Sequence, residues 1–319
     1  MEVGEAVSVP QFLNDDVHNE KTCPWHADGK KKAKKMAPTD PDDDSSAMAP
    51  NDGGTLGQNL KKSGYDPPSV DEVWIRYKTE DEPLYFKSGR KKKEVRIYKK
   101  TRAEVPYDLQ YAPHHLIPGN ESLKGNAVVC FLGDDPSIEE FKGGQSSVIK
   151  EGFSTGYDVN LAENGVWLPS PYALSMKNEW PSAPGINVIK KRKGIDLAET
   201  TESFKHAYVA ESIEETGRQF HMRHKEYSTE VQNILGAIAE RLFGMAFGNC
   251  PIAEDSNDGD DKVDPPPGLP GRLHVLSANL RTLVTGKRWQ PPIFVDELTQ
   301  QYADDLKTVK AQARLTKVL

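Results

Sequence analysis

A chain of 319 residues with 36% hydrophobic residues and a formal net charge of -7 can build one sizeable core, yet is polar enough that part of it is expected to stay extended. No apolar run approaches the roughly 20 residues that cross a bilayer, so no membrane partner is expected. The three cysteines, Cys23, Cys130 and Cys250, are odd in number and far apart, which implies no disulfide framework and points to a reducing folding compartment.

Residues 1 to about 70 are expected to be largely disordered and to serve delivery or docking. They hold a lysine cluster (Lys30 to Lys35), an acidic cluster (DPDDD) and Gly, Asn, Ser and Pro, too little apolar surface to offset ordering entropy. The N-terminus, MEVGEAVSVPQF, is acidic where a secretory signal peptide would be basic and then apolar. TCPWH is the one distinctive piece. Cys23 and His26 resemble half of a zinc site, but no second Cys/His pair follows at finger-like spacing, and a flexible arm or docking tag is the favoured reading.

Order is expected from about Val70. VDEVWIRYKT and EVRIYKKTRAEV alternate apolar and charged residues with the two-residue period of half-buried strands. Between them a Ser88-Gly89 turn is flanked by Lys87, Arg90, Lys91, Lys92 and Lys93. Such a run is either a solvated hairpin tip or a phosphate-contacting prong. NAVVCFLG (126–133) is a buried strand or part of a helix, and GVWLPSPYAL (165–174) is a strand broken by proline. Residues 176 to 194 form a loop that ends in a second basic run, Lys190, Lys191, Arg192 and Lys193. From Asp196 to Leu242 the period turns helical, with two helices meeting near Thr216-Gly217. Residues 251–271 are an acidic, proline-rich linker. Helical stretches near Leu273 to Val284 and Val295 to Leu315 make 272–319 a C-terminal extension packing on the core. The organising unit is thus 71–250, with an insertion at about 175–215.

Four of the eight histidines fall into two tight groups, His114-His115 in YAPHHLIPGN and His221 with His224 in FHMRHKEYS. Adjacent residues of an extended chain point to opposite sides, so one histidine can ligate a metal while its neighbour activates water. His221, His224, Val231, Leu235, Ile238 and Leu242 follow one helical stripe, which carries the histidines onto the inward face. A lone histidine there would be read as a core residue with a satisfied hydrogen bond. Two of them opposite a His-His pair favour a site.

A His-His strand, an Asn before a second strand and a histidine helix occur in the order of the ββα-metal nucleases. APHHLIPGN, then GYDVNLAENGVWLP, then His224-Lys225-Glu226-Tyr227 resembles the AHH family of the HNH/endonuclease VII superfamily over residues 105 to 235. Ala112 stands one place before Pro113-His114-His115, where the family has Ala-His-His. About fifty residues separate Leu168 from His221, where the family has a shorter connection. The paired helical histidines are three apart rather than four, and His206 is a third candidate that lacks the following tyrosine.

The resemblance implies an α+β fold: a ββα-metal, HNH-like nuclease core with added helices. It implies one divalent metal ion, Mg, Mn, Ni or Zn, with His114 and His224 as principal ligands and His221 completing the shell. His115 would be the general base and Asn164 would orient it. The basic runs at Lys91, Lys92, Lys93 and at Lys190, Lys191, Arg192 would contact phosphates of DNA with little sequence specificity. AHH-type domains resemble the toxin tips of polymorphic bacterial toxins. That implies a cognate immunity protein and a component or adaptor of a contractile secretion apparatus as partners. The protein would be made in a bacterial cytoplasm and pass without a signal peptide into target cells. Two alternatives stay open: an RNase on the same scaffold, and a non-enzymatic structural or adaptor protein held by zinc. The second is favoured if Cys23 or Cys250 lies beside the histidine cluster, because thiolates would close the site.

Overall fold

Leu56 and Leu60 sit one helical turn apart, and Asp52 ahead of them accepts hydrogen bonds from the Gly54 and Thr55 backbone N–H groups, an N-cap that starts helix α1 (Gly53–Lys62). The computed structural model describes residues 23–26, 51–78, 86–88, 91–93, 96–98, 102–134, 142–173, 208–222, 225–256, 261–286, 295, 299–300 and 302–304. Order therefore begins before residue 70. The 23–26 turn and α1 both lie in the stretch expected to be disordered, because each carries apolar anchors: Cys23 and Trp25 in the turn, Leu56 and Leu60 in the helix, all buried.

The alternating segments form strands, but EVRIYKKTRAEV, read as one strand, folds back on itself as two antiparallel strands. β1 (Glu72–Lys78), β2 (Phe86–Ser88), β3 (Lys91–Lys93), β4 (Arg96–Tyr98) and β5 (Arg102–Asp108) make two antiparallel units, a sheet in the order β1-β5-β4 and a β2-β3 hairpin. The basic run of Lys91, Lys92 and Lys93 thus lies on a hairpin strand, with Lys92 opposite Lys87. β6 (Gln110–His115) and β7 (Gly165–Ser170) pair antiparallel over their full length, His115 opposite Gly165 and Gln110 opposite Ser170. NAVVCFLG resolves as helical: Ala127–Phe131 is a 3-10 turn capped by the Asn126 side chain.

The helical pattern after 196 divides where expected. Helix α2 spans 208–216 and stops at Gly217, whose positive φ of 66° closes the end with a hydrogen bond to Ile213 O. Helix α3 (Lys225–Gly244) buries Tyr227, Val231, Leu235, Ile238 and Leu242 along one stripe. His221 precedes α3 and stands in non-helical chain, so the histidine stripe does not begin on the helix. The physical reason is a competing bond: His221 N–H donates to Pro169 O of β7 at 2.7 Å and holds this stretch against the strand.

The acidic stretch 251–271 is no linker over its described residues. Pro251–Asp255 is a short helix, α4, with proline in its first turn. Val263 is fully buried and exchanges backbone bonds with Val148 and Lys150. Helix α5 (Leu269–Thr285) then buries Leu273, Leu276, Leu280 and Val284 in the same core as α3.

The molecule is therefore a mixed α+β fold whose β6-β7 pair has a helix on each face. α1 packs Leu56 and Leu60 against Trp167 on one side, with Gly57 close enough that a Cβ there would stand 3.1 Å from the Trp167 ring. The other face buries Val166 and Leu168 in the core shared by α3 and α5. Among the described residues no helix is long and apolar enough to cross a membrane.

Candidate functional site

Strand geometry separates the two adjacent histidines. His114 turns to the α3 face, where its ring meets Tyr227 edge-on with centroids 5.0 Å apart and His221 with centroids 5.1 Å apart. His115 turns to the α1 face, the side on which Pro113 packs against Gly57. Both are buried.

Hydrogen bonding determines which nitrogen of His115 carries the proton in the neutral ring. Its Nε2 lies 2.9 Å from Asn160 Oδ1. The same Oδ1 accepts from the Asp52 backbone N–H at 3.1 Å, and only an oxygen can do that, so the amide is correctly oriented and Nε2 must be the donor. A neutral His115 ring then carries its lone pair on Nδ1. Asn160 is itself fixed: its N–H bonds Asp158 Oδ1 at 2.8 Å, and Asn59 of α1 donates to its carbonyl at 2.9 Å.

Two carboxylates lie in the field of this ring. Hydrogen bonds from the Thr55 hydroxyl and from the Thr55 and Gly54 backbone hold Asp52 below the usual carboxylate range, with a smaller contribution from His115. Burial pushes Asp158 upward, opposed by its bond from Asn160 N–H and by attraction to His115. The imidazolium formed on proton uptake would thus find negative charge nearby. Asp52, Asp158 and Asn160 did not stand out in the sequence. The legible signal was the capping pattern at Asp52, ahead of Leu56 and Leu60.

On the other face, α3 is docked onto the chain that follows His115. Tyr227 is fully buried and its hydroxyl donates to Leu116 O at 2.6 Å. Ser122 Oγ donates to Ser228 O at 2.8 Å, Ser228 bonds Glu121, and Asn126 Nδ2 reaches Gln232 O at 2.9 Å. These bonds fix the first turns of α3, and with them the Tyr227 ring, against His114. His224 and His206 lie outside the described residues, as do Lys190, Lys191 and Arg192 and the side chains of Lys91, Lys92 and Lys93.

Asn164 does not meet His115. Its Oδ1 accepts from Ile117 N–H at 2.8 Å and from Ser277 Oγ at 2.9 Å, while Nδ2 donates to Ile117 O at 3.0 Å and Val159 O at 2.9 Å. Asn160, four residues earlier, is the amide that meets the His115 ring. Asn164 instead ties the end of β6 to the start of β7 and to α5, and its four partners leave no capacity for the ring.

A second group of ligand-type side chains stands apart. The ligand atoms of Cys23, His26 and Cys250 all lie within 4.8 Å of one another, the single such cluster of three or more among the described residues. Cys250 hydrogen-bonds back to Met245 O just past the C-terminus of α3, whereas Tyr227 is in that helix's first turn. Twenty helical residues span about 30 Å, so the thiols lie at the far end of α3 from His114. Compared with protein-family models, curated proteins and solved structures, the chain matches none.

Proposed function

We propose that the protein is a metal-dependent endonuclease of the HNH type that cleaves DNA with little sequence specificity. The observation that carries the reading is the division of labour at His114-His115. His114 joins His221 and Tyr227 at the entry to α3, while His115 presents an Nε2-bound imidazole flanked by Asp52 and Asp158 on the opposite face.

Phosphodiester hydrolysis requires an activated water and neutralisation of charge on the phosphate and leaving oxygen. In this reading one divalent ion supplies the second. His114, His221 and His224 are its ligands, and imidazole nitrogen together with water and substrate oxygen suits Mg, Mn, Ni or Zn. His115 takes the proton of the attacking water on Nδ1. Asn160 positions the ring, in place of Asn164. The zinc-held adaptor reading is favoured by a thiolate beside these histidines; Cys23 and Cys250 meet each other instead, which supports the enzymatic reading over it.

Purified protein incubated with duplex DNA and a divalent metal is expected to degrade it, with activity lost on chelation and absent in His114→Ala. Parallel digests of RNA separate the DNase from the RNase reading. Metal-independent cleavage, or full cleavage by the His114 variant, would overturn the assignment.

The biological role proposed is that of an antibacterial toxin delivered by a contractile secretion apparatus and held in check by an immunity protein; it rests on the resemblance to AHH toxin tips. Expressed in a bacterial cytoplasm, the wild-type chain is expected to arrest growth and degrade chromosomal DNA, whereas His114→Ala is harmless. Equal growth of both strains, with soluble intact protein in each, would sink the toxin role while leaving the nuclease chemistry standing.

A further inference from the structure

We propose that Cys23, His26 and Cys250 bind a structural zinc ion that clamps the N-terminal turn onto the far end of α3. The local geometry follows from the sequence. Cys23-Pro24-Trp25-His26 makes a single 3-10 turn (Pro24–His26) closed by His26 N–H to Cys23 O at 3.1 Å. Side chains three apart eclipse in such a turn, which puts the Cys23 thiol and the His26 imidazole on one side. Cys250 arrives from a different part of the chain as the residue capping α4, and its Sγ lies 3.4 Å from that of Cys23 across 227 residues of sequence.

The turn is seated independently of the three ligands. Trp25 is buried and meets Phe131 edge-on at 6.2 Å, its Nε1 donates to Asp264 O at 2.9 Å, and Gly268 N–H donates to Pro24 O at 2.9 Å. The thiols are thus held in place by packing rather than by chance proximity on a mobile surface. Two sulfurs and one imidazole nitrogen are soft to borderline ligands, the set that selects zinc over magnesium or calcium. Two thiolates and a neutral imidazole also cancel the charge of a divalent cation, which a site with both cysteines buried requires. Three protein ligands leave one coordination position for water. Binding releases the two thiol protons to solvent and forms two Zn–S bonds and one Zn–N bond; no electron transfer is involved. A clip closing so long a loop removes much chain entropy from the unfolded state.

The site is chemically distinct from the histidine centre, so its test is kept separate from cleavage. The full chain, purified under reducing conditions without added metal, is expected to retain one equivalent of zinc by elemental analysis. Cys250→Ser and His26→Ala should lose it, and His114→Ala should keep it. Cobalt(II) exchanged into the wild-type protein should give a thiolate-to-cobalt charge-transfer band and tetrahedral d–d absorption, a readout that stands even if a cysteine variant fails to fold. Chelation should lower the melting temperature of the wild type. Absence of both zinc and the charge-transfer band in the wild type, or zinc retained by Cys250→Ser in a His114→Ala background, would overturn the site. So would a Cys23–Cys250 disulfide in peptides mapped from unreduced native protein, since the thiols would then serve as a covalent cross-link.

Discussion

His115→Ala is expected to lower the rate of DNA cleavage by about 10²–10⁴-fold, the usual contribution of a positioned general base, while metal affinity and melting temperature stay near wild type. His115 faces α1 and hydrogen-bonds Asn160, whereas the proposed metal ligands gather on the α3 face around His114. Removing His115 should therefore remove the base without opening the metal shell. Calorimetric titration with Mn or Ni beside a single-turnover cleavage assay measures both quantities on one sample. Near-wild-type cleavage would show that another group activates the water. Asn160→Ala should cost less, about 10–100-fold as for other residues that orient a catalytic group. Asn160→Asp keeps the acceptor oxygen opposite Nε2 and should recover part of the loss, which a purely structural role for Asn160 would not produce.

The strands were legible in the sequence wherever their period was two. VDEVWIRYKT and the basic hairpin fall where alternation and turn residues put them, because cross-strand pairing rewards a local pattern directly. GVWLPS is a strand as read, but one buried throughout that runs through Pro169 instead of breaking there. The buried stripe of α3 was legible for the same reason. What composition hid were short segments anchored by few residues. Trp25 and the Leu56/Leu60 pair lie in polar surroundings that average to disorder, yet each finds a preformed apolar surface, which no local window reports. The stretch 251–271 misled likewise: its acidic and proline residues are real, but Val263 and Leu269 are both fully buried and pull it onto the core.

The histidine site was half legible. Residue types and order brought His114, His115 and His221 into view, and His114 and His221 do meet. The helical stripe misplaced the start of α3, since a periodicity argument cannot see that His221 N–H is taken by Pro169 O. The expectation that Asn164 would meet the ring failed on the same ground. Asn160 and Asn164 both sit in the loop before β7, and only the tertiary fold decides which amide reaches the ring. Cys23 and Cys250 gave no pairing signal, since a contact across 227 residues leaves no trace in spacing.

Asn164→Ala is expected to cost stability rather than chemistry, and to cost a great deal of it. The side chain is fully buried and satisfies both the N–H and the C=O of Ile117, the C=O of Val159 and the hydroxyl of Ser277. Alanine leaves these groups in a dry interior with no replacement. At about 1–3 kcal/mol for each buried group left unsatisfied, less whatever local relaxation recovers, the loss is about 3–6 kcal/mol. Domains are stable by only about 5–15 kcal/mol, so the variant should melt roughly 10 °C or more below wild type, or fail to accumulate as folded protein. Ser277→Ala removes a single partner and should cost about 1 kcal/mol, since Oδ1 keeps its bond from Ile117 N–H. The pair of variants gives a graded series for thermal and urea unfolding. A catalytic Asn164 would give the opposite result: wild-type melting with cleavage abolished. That outcome would return the residue to the His115 ring and require a loop arrangement different from the one that now holds β6, β7 and α5 together.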